Sequence, residues 1–248
     1  MSAKSGMVHL VGAGPGDPEL ITLRGLQILQ TADVIAHDQL IAPELLDSAK
    51  STAIRVPART LVSGVDPLLA QIHEQIVAHA HAGRSVCRLK GGDPFIYGRA
   101  SEEIDALEAA GVPWEVIPGV TSALAAPAMA GIPITDRHLA STATLVTGHE
   151  SGTKSGGAVN WAALAAAGGT LIVLMGVATL SQTAQRLVAG GRSPSEPVAV
   201  IERATWPDQR VTVGTLADIT ERAQQIGIES PAVIVVGPVV HSINREPL

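Results

Sequence analysis

The sequence predicts two α/β domains that meet at a crevice, and three observations lead to that class. In the first half, short apolar runs bounded by Gly, Pro or Asp alternate with stretches of helical period, a pattern that builds a mostly parallel sheet with helices on both faces. Around Ala128 to His138, prolines and polar residues suited to a linker interrupt the alternation, and a second strand series follows. In that series Val198–Glu202 and Arg210–Val213 are separated only by Arg203-Ala204-Thr205-Trp206-Pro207-Asp208-Gln209, a connection that favours a hairpin, so the second sheet is expected to be mixed. With 248 residues against roughly 150 per average domain, the expected division is a tail at 1–6, a first domain at 7–134, a second at 135–241 and a tail at 242–248.

Each element has its own signal. Val8–Val11 is the first strand. Asp17-Pro18-Glu19 then places a cap, a first-turn proline and an acid ahead of the apolar series Leu23, Leu26 and Leu29, which predicts a helix. Strands follow at Asp33–His37 and Ala53–Val56. Asp66-Pro67 repeats the capping device before Leu69, Ile72, Ile76 and Val77, and Gly83 closes that helix. After the strand Ser85–Leu89, a helix around Ser101 to Ala110 carries Ile104 and Leu107 inward and ends at Gly111; Trp114–Ile117 completes the series. The second series comprises Thr142–Thr147, Thr170–Met175, Val198–Glu202, Arg210–Val213 and Ala232–Val236. Residues 155–185 carry no charge and raise the question of a membrane span, but Gly168-Gly169 divides them into an Ala-rich segment and a β-rich run. Helix, turn and buried strand is the expectation.

Composition excludes several functions. Lys plus Arg number 17 against 23 for Asp plus Glu, and Trp114, Trp161, Trp206, Phe95 and Tyr97 are all the aromatics, so a basic surface interleaved with stacking rings is missing and general nucleic-acid binding is disfavoured. The single Cys87 lies in an apolar run and reads as a buried small hydrophobe. The eight histidines fall at no ligand spacing, which argues against a metal site, and no G-x-S-x-G elbow is present. Residues 1–6 lack the apolar core of a signal peptide, so a cytoplasmic location is expected.

The chemistry is expected where strands end. Val11-Gly12-Ala13-Gly14-Pro15-Gly16-Asp17 lets backbone amides approach a ligand, yet Asp17 stands where a dinucleotide fingerprint needs its last glycine, and an acid there disfavours phosphate. A tight turn of no chemical interest explains that segment equally well. Gly91-Gly92-Asp93-Pro94, Pro118-Gly119-Val120-Thr121-Ser122 and Met175-Gly176 also follow strands, at the edge where open α/β sheets bind ligands. Asp38 follows Asp33–His37 and is either a lip carboxylate with a chemical task or a solvated loop acid. The segment Arg88 to Arg99 is the densest mixture of charge, aromatic and glycine in the chain, able to grip a flat anion through Arg99; Lys90 alone reads as a solvated or salt-bridged surface residue.

Taken together, residues 11–23, Ala-Asp-Val-Ile-Ala-His-Asp-Gln-Leu at 32–40, Arg-Leu-Lys-Gly-Gly-Asp-Pro-Phe-Ile-Tyr-Gly-Arg at 88–99 with Glu102-Glu103, and Val-Ile-Pro-Gly-Val-Thr-Ser-Ala at 116–123 closely resemble the uroporphyrinogen-III C-methyltransferase branch of the tetrapyrrole methylases. Thr147-Gly148-His149, Leu174-Met175-Gly176 and Gln209-Arg210-Val211 extend the likeness over about residues 7 to 240. The resemblance implies a two-domain tetrapyrrole-methylase fold with the active site in the interdomain cleft, a homodimer, and S-adenosylmethionine as methyl donor. It implies methylation of uroporphyrinogen III on rings A and B, through precorrin-1 to precorrin-2, for sirohaem, cobalamin or haem d1. Carried over by position, Pro15, Gly91, Gly92, Asp93, Ile96, Thr121, Ser122, Met175 and Ala204 would contact the donor. Asp38 would accept a proton, and Arg99 with Glu102 would hold the macrocycle, Arg99 having a catalytic part as well. Arg88, Lys90, Arg99 and Arg137 are the cations expected to face the substrate's carboxylates, and a cationic sulfonium tolerates the acids nearby. A length without room for a further dehydrogenase–ferrochelatase module implies a monofunctional enzyme. Three positions depart from the pattern: Thr60 stands where a lysine is common, with Arg59 beside it, His37 replaces an aromatic and Gln39 a frequent arginine.

Overall fold

Aliphatic strands buried on both sides set the frame. A computed structural model describes residues 6–58, 67–149 and 159–244, and the chain packs as two units that divide between Thr121 and Ser122.

In the first unit, β1 (Val8–Gly12), β2 (Val34–His37), β3 (Ile54–Pro57), β4 (Val86–Lys90) and β5 (Trp114–Ile117) form an all-parallel sheet in the order β3-β2-β4-β1-β5. Helices α1 (Leu23–Thr31), α2 (Pro43–Asp47), α3 (Pro67–His81) and α4 (Ala100–Ala109) connect the strands. Ile72, Ile76 and Ala80 of α3 and Ile104 and Leu107 of α4 close over Val8, Leu10, Val34, Ala36 and Val56. β4 is central, so all five of its residues are buried, two of them charged. Cys87 is fully buried, as its apolar run suggested, and burial pushes its thiol up to about 12.

The first helix differs from its sequence signal. Asp17 caps only a 3₁₀ turn, Pro18–Leu20, by accepting from the Glu19 N–H at 2.8 Å. A second cap, Thr22, accepts from the Gly25 N–H at 3.1 Å and starts α1. Two caps in tandem break what reads as one amphipathic series, and Leu23, its first apolar member, is 81% exposed.

The second unit holds β6 (Ala143–Thr147), β7 (Thr170–Leu174), β8 (Pro197–Glu202), β9 (Arg210–Thr215) and β10 (Ala232–Val236) in the order β6-β7-β10-β8-β9. β6 and β7 are parallel; β10 runs against both β7 and β8, and β8–β9 is the expected hairpin. α6 (Trp161–Ala167), α7 (Leu180–Ala189) and α8 (Ile219–Ile226) cover one face through Trp161, Ala165, Leu187 and Ile219. The other face is covered by α5 (Ser122–Met129) and the 3₁₀ segment Pro238–Asn244. Composition placed the division at 134–135, but Ala123 and Ala126 of α5 pack with Ile132, Ile172, Leu174 and Val235, so the segment from Ser122 belongs to the second core. Gly168 and Gly169, both at positive φ, separate α6 from β7, and no described helix is long and apolar enough to cross a membrane.

Candidate active site

In the first unit, the loops after β1, β2, β4 and β5 leave the same edge of a parallel sheet and tie to one another. Gly14 and Gly92 exchange backbone hydrogen bonds, Gly92 N–H to Gly14 O at 2.7 Å and Gly14 N–H to Gly92 O at 3.3 Å. Gly12 and Gly119 face each other so closely that a Cβ on Gly12 would come within 2.6 Å of Gly119 N. These glycines therefore serve loop-to-loop packing, a use the sequence did not separate from ligand approach. Gly91, by contrast, has open space where a Cβ would stand. Asp93 spends one carboxylate oxygen on the Phe95 N–H (2.9 Å) and the other on the Gly119 N–H (3.0 Å), tying the β4 loop to the β5 loop. Pro15, Gly91, Gly92, Asp93, Ile96 and Thr121 thus lie on interconnected loops at this edge. Phe95 and Tyr97 are exposed beside Ile96.

Under the same edge lies a cluster of four charges. Arg88 is 1% exposed, and its Nη2 donates to Asp38 Oδ1 at 2.6 Å and to Glu103 Oε1 at 3.0 Å. Its Nε reaches the same Glu103 oxygen at 3.1 Å, as does Lys90 Nζ at 2.7 Å. Asp38 Oδ2 accepts from the Gly91 N–H at 3.3 Å. Burial alone would push the Asp38 carboxyl up, but the Arg88 and Lys90 charges and the Arg88 hydrogen bond outweigh it and hold it below its ordinary value. Burial pulls Lys90 down, with Arg88 adding to it, against the opposing pull of Glu103 and Asp38.

Two expectations are corrected here. Lys90 is salt-bridged, to Glu103, but it is not a surface residue: it is 2% exposed. Nor do Arg88 and Lys90 face a substrate's carboxylates, because this chain's own Asp38 and Glu103 occupy them. Arg99 lies beyond them, partly exposed, and grips Glu102 through Nε (2.8 Å) and Nη2 (2.7 Å), a bidentate pair whose hydrogen bond keeps the Glu102 carboxyl low. Arg137 is exposed and has no ion-pair partner among the described residues. Thr60 and Arg59 lie outside the described residues. His37 Nδ1 donates to the Asp38 carbonyl oxygen at 3.0 Å.

In the second unit, Met175 and Ala204 follow β7 and β8, which run the same way on either side of β10. Met175 is 45% exposed, whereas the Ala204 side chain is buried in the core. Ser122 opens α5. Gly148 N–H donates to Leu174 O at 2.7 Å, and Thr179 Oγ1 donates to Gly148 O at 3.0 Å, joining the β6 and β7 loops. Five described non-glycine residues have positive φ: Tyr97, Arg99, Met175, Arg203 and Thr205. Each is, or adjoins, one of the residues expected at the donor or substrate. Among the described residues, no group of three His, Cys, Asp or Glu is placed to hold a metal.

Residues 7–220 match the family model of the tetrapyrrole (corrin/porphyrin) methylases. The chain belongs to the tetrapyrrole methylase family. It is 47% identical over 97% of its length, and 94% of the other's, to an S-adenosyl-L-methionine-dependent uroporphyrinogen III methyltransferase of Methanosarcina barkeri. The uroporphyrin-III C-methyltransferase of Thermus thermophilus, solved with S-adenyl homocysteine, superposes with a TM-score of 0.80 at 38% identity, over 95% of this chain and 99% of that one. A cobalt precorrin-4 methyltransferase has a TM-score of 0.85 at 30% identity, over 94% and 95%. Tetrapyrrole methylases of different substrates therefore share this backbone, and sequence separates them. The chain spans about half the length of the siroheme synthases it matches.

The residue that sequence reasoning missed is Glu103. The spacing that marks Ile104 and Leu107 as inward also includes Ala100 and Glu103, so a carboxylate stands on the buried face of α4. Arg88 and Lys90, two apart on a central strand, were the matching signal, because a parallel sheet covered on both faces leaves no solvent for their charges.

Proposed function

We propose that this tetrapyrrole methylase transfers methyl groups from S-adenosylmethionine to ring carbons of uroporphyrinogen III. The observation that carries the reading is near-full-length similarity to a methyltransferase of that name at 47% identity, against 30% to the precorrin-4 methyltransferase that superposes with a TM-score of 0.85. The finer reading is successive methylation at C2 and C7, on rings A and B, with precorrin-1 as intermediate and precorrin-2 as product for sirohaem, cobalamin or haem d1. It extends to a cytoplasmic homodimer.

The donor supplies an activated methyl on a cationic sulfonium; the chain's task is alignment and proton handling. Pro15, Gly91, Gly92, Asp93, Ile96 and Thr121 of the first unit, and Ser122, Met175 and Ala204 of the second, are the proposed donor contacts. Open space at Gly91 and the half-exposed Met175 side chain support that assignment. As the ring carbon takes the methyl, the S–CH₃ bond breaks, S-adenosylhomocysteine leaves, and the macrocycle must release a proton. Asp38, kept ionised by Arg88, stands ready to receive it or to stabilise the positive charge that precedes its loss. Arg99, oriented by Glu102, is the proposed hold on a substrate carboxylate; permanently protonated, it would assist the proton step by fixing the macrocycle rather than by taking the proton itself.

The test is purified protein with S-adenosylmethionine and freshly generated uroporphyrinogen III, read by mass spectrometry. A product two methyl groups heavier is expected. Donor binding without any mass change would overturn the reading in favour of a non-catalytic binding module, and turnover only of a later corrinoid would favour the precorrin-4 type.

A further inference from the structure

We infer that Glu103 is a positioning residue for Asp38, acting through Arg88. The inference rests on the proposed function, because it gives Asp38 a task at the site. Three N–H donors converge on the single oxygen Oε1 of Glu103: Arg88 Nε, Arg88 Nη2 and Lys90 Nζ. The other end of the guanidinium, Nη1, donates to the Leu89 carbonyl at 3.1 Å and toward that of Ala36 at 3.5 Å. Held on two sides, Arg88 has no freedom to swing, and Nη2 presents its remaining bond to Asp38 Oδ1. Asp38 is the one member of the cluster that reaches the surface, 29% exposed against 1 to 3% for the others. A rigid buried scaffold thus ends in a single carboxylate at the lip of the sheet.

Charge counting gives the same direction. Arg88 and Lys90 against Asp38 and Glu103 are two cations and two carboxylates, and removal of Glu103 leaves both cations to compete for Asp38. Stability gives no reason for such a set, since apolar residues of similar volume commonly serve a core as well or better. Glu103 is also not arranged to satisfy itself. Its Oε2 has no partner among the described residues, and Glu103 with Arg88 lines a cavity of about 10 Å³, the space of one water, together with Val8, Leu10, His73, Ile76 and Leu107. All its bonding is directed to the two cations.

The experiment is a double-mutant cycle on methyl transfer with wild type, Asp38→Asn, Glu103→Gln and the double variant, each checked for a cooperative melt. Glu103→Gln is expected to lower kcat roughly tenfold to hundredfold, as small misplacements do, with KM for the donor held within about twofold. On the Asp38→Asn background it is expected to cost less than about twofold more, because the group it positions is already gone. Glu103→Asp, which keeps the charge, restores part of the loss and carries the same cycle should Glu103→Gln fail to fold. Losses that multiply in the double variant, or an unchanged kcat in Glu103→Gln, overturn the inference. An inactive wild type overturns the functional reading instead. In that event the ¹³C shift of the Asp38 carboxyl decides about Glu103: it moves in Glu103→Gln and not in the surface control Glu108→Gln if the positioning holds, and stays in both if it does not.

Discussion

Two glycines at one sheet edge make opposite predictions when each is given a methyl group. A Cβ on Gly119 would lie 2.6 Å from Gly12 Cα and 2.8 Å from Gly12 C, and closer still to Gly92 O. All three are backbone atoms, and carbon contacts are comfortable only at about 3.5–4.0 Å, so about 1 Å must come from parting two strand ends. Gly119 is not in the left-handed region, and the cost is purely steric. Overpacking of that kind costs about 1–3 kcal/mol, and Gly119→Ala should lower the urea midpoint accordingly. At Gly91 a Cβ meets nothing within 4 Å, so Gly91→Ala should leave stability unchanged or raise it by about 0.4–1 kcal/mol through the unfolded chain. Donor binding at the proposed site is another matter. If the adenosyl group lies against Gly91, the methyl intrudes on it, and titration calorimetry should show S-adenosylhomocysteine bound at least about tenfold more weakly, a loss of about 1.4 kcal/mol. A wild-type urea midpoint in Gly119→Ala refutes the packing argument, and a wild-type Kd in Gly91→Ala removes Gly91 from the donor site.

Met175 is exposed and held at φ 53°, so Met175→Ala should weaken donor binding about tenfold by loss of apolar contact without relieving the backbone. Met175→Gly should weaken it as much while raising stability, and unaltered dissociation constants would count against Met175 as a contact. Hydrogen bonds from Lys50 and Ser85 hold Asp33 at about 2 against an ordinary 3.8. With a lowered folded-state value, its stabilisation is complete above about pH 4 and is lost as pH falls toward 2, so the difference in urea midpoint between wild type and Asp33→Asn should narrow between pH 5 and pH 2.5. A constant difference would refute that. Cys87, buried with its thiol pushed up to about 12, should resist a disulfide reagent in native protein and react once urea unfolds the first unit. Rapid native labelling is the refuting result.

How much of this was legible depends on what each element is buried against. Strands of an all-parallel sheet are apolar on both faces, so β1, β2, β4 and β5 appear in the sequence as short runs with limits good to a residue. α5 escaped because Ser-Ala-Leu-Ala-Ala-Pro-Ala-Met shows almost no contrast between faces and contains Pro127, so nothing in it marks a helix or the core it joins. Lys90 read as a surface residue, solvated or salt-bridged, because its partner lies 13 residues on, in a different element. A local window shows a lysine beside two glycines; only the strand's central place demands a buried counter-charge. The glycine loops showed their permissiveness but not their use, since close approach to a ligand and close approach to another loop ask the same of a residue.

The backbone itself carries the part that no residue pattern could show. Left-handed conformation costs a non-glycine residue about 1–2 kcal/mol, and glycine would remove that cost at every such position. The chain nevertheless keeps side chains at Tyr97, Arg99, Met175, Arg203 and Thr205, all after the carboxyl ends of β4, β7 and β8. Tyr97 adjoins Ile96, and Arg203 and Thr205 flank Ala204. Met175 and Arg99 are themselves residues assigned to donor and substrate. Strain kept at turns with no task would be scattered over both ends of the sheets. Strain gathered beside the assigned contacts is what results when a loop must aim one group outward and bend back within a residue. Arg203 shows the compensation: its guanidinium stacks 4.8 Å from the Trp206 ring and pairs with Asp208 at 2.6 Å, contacts that hold the turn in its costly conformation. The same division of labour governs the first unit, where a buried ion cluster fixes Asp38 and a bidentate pair fixes Arg99. At Asp38 and at Arg99 the geometry of a proposed contact is set by neighbours within the first unit.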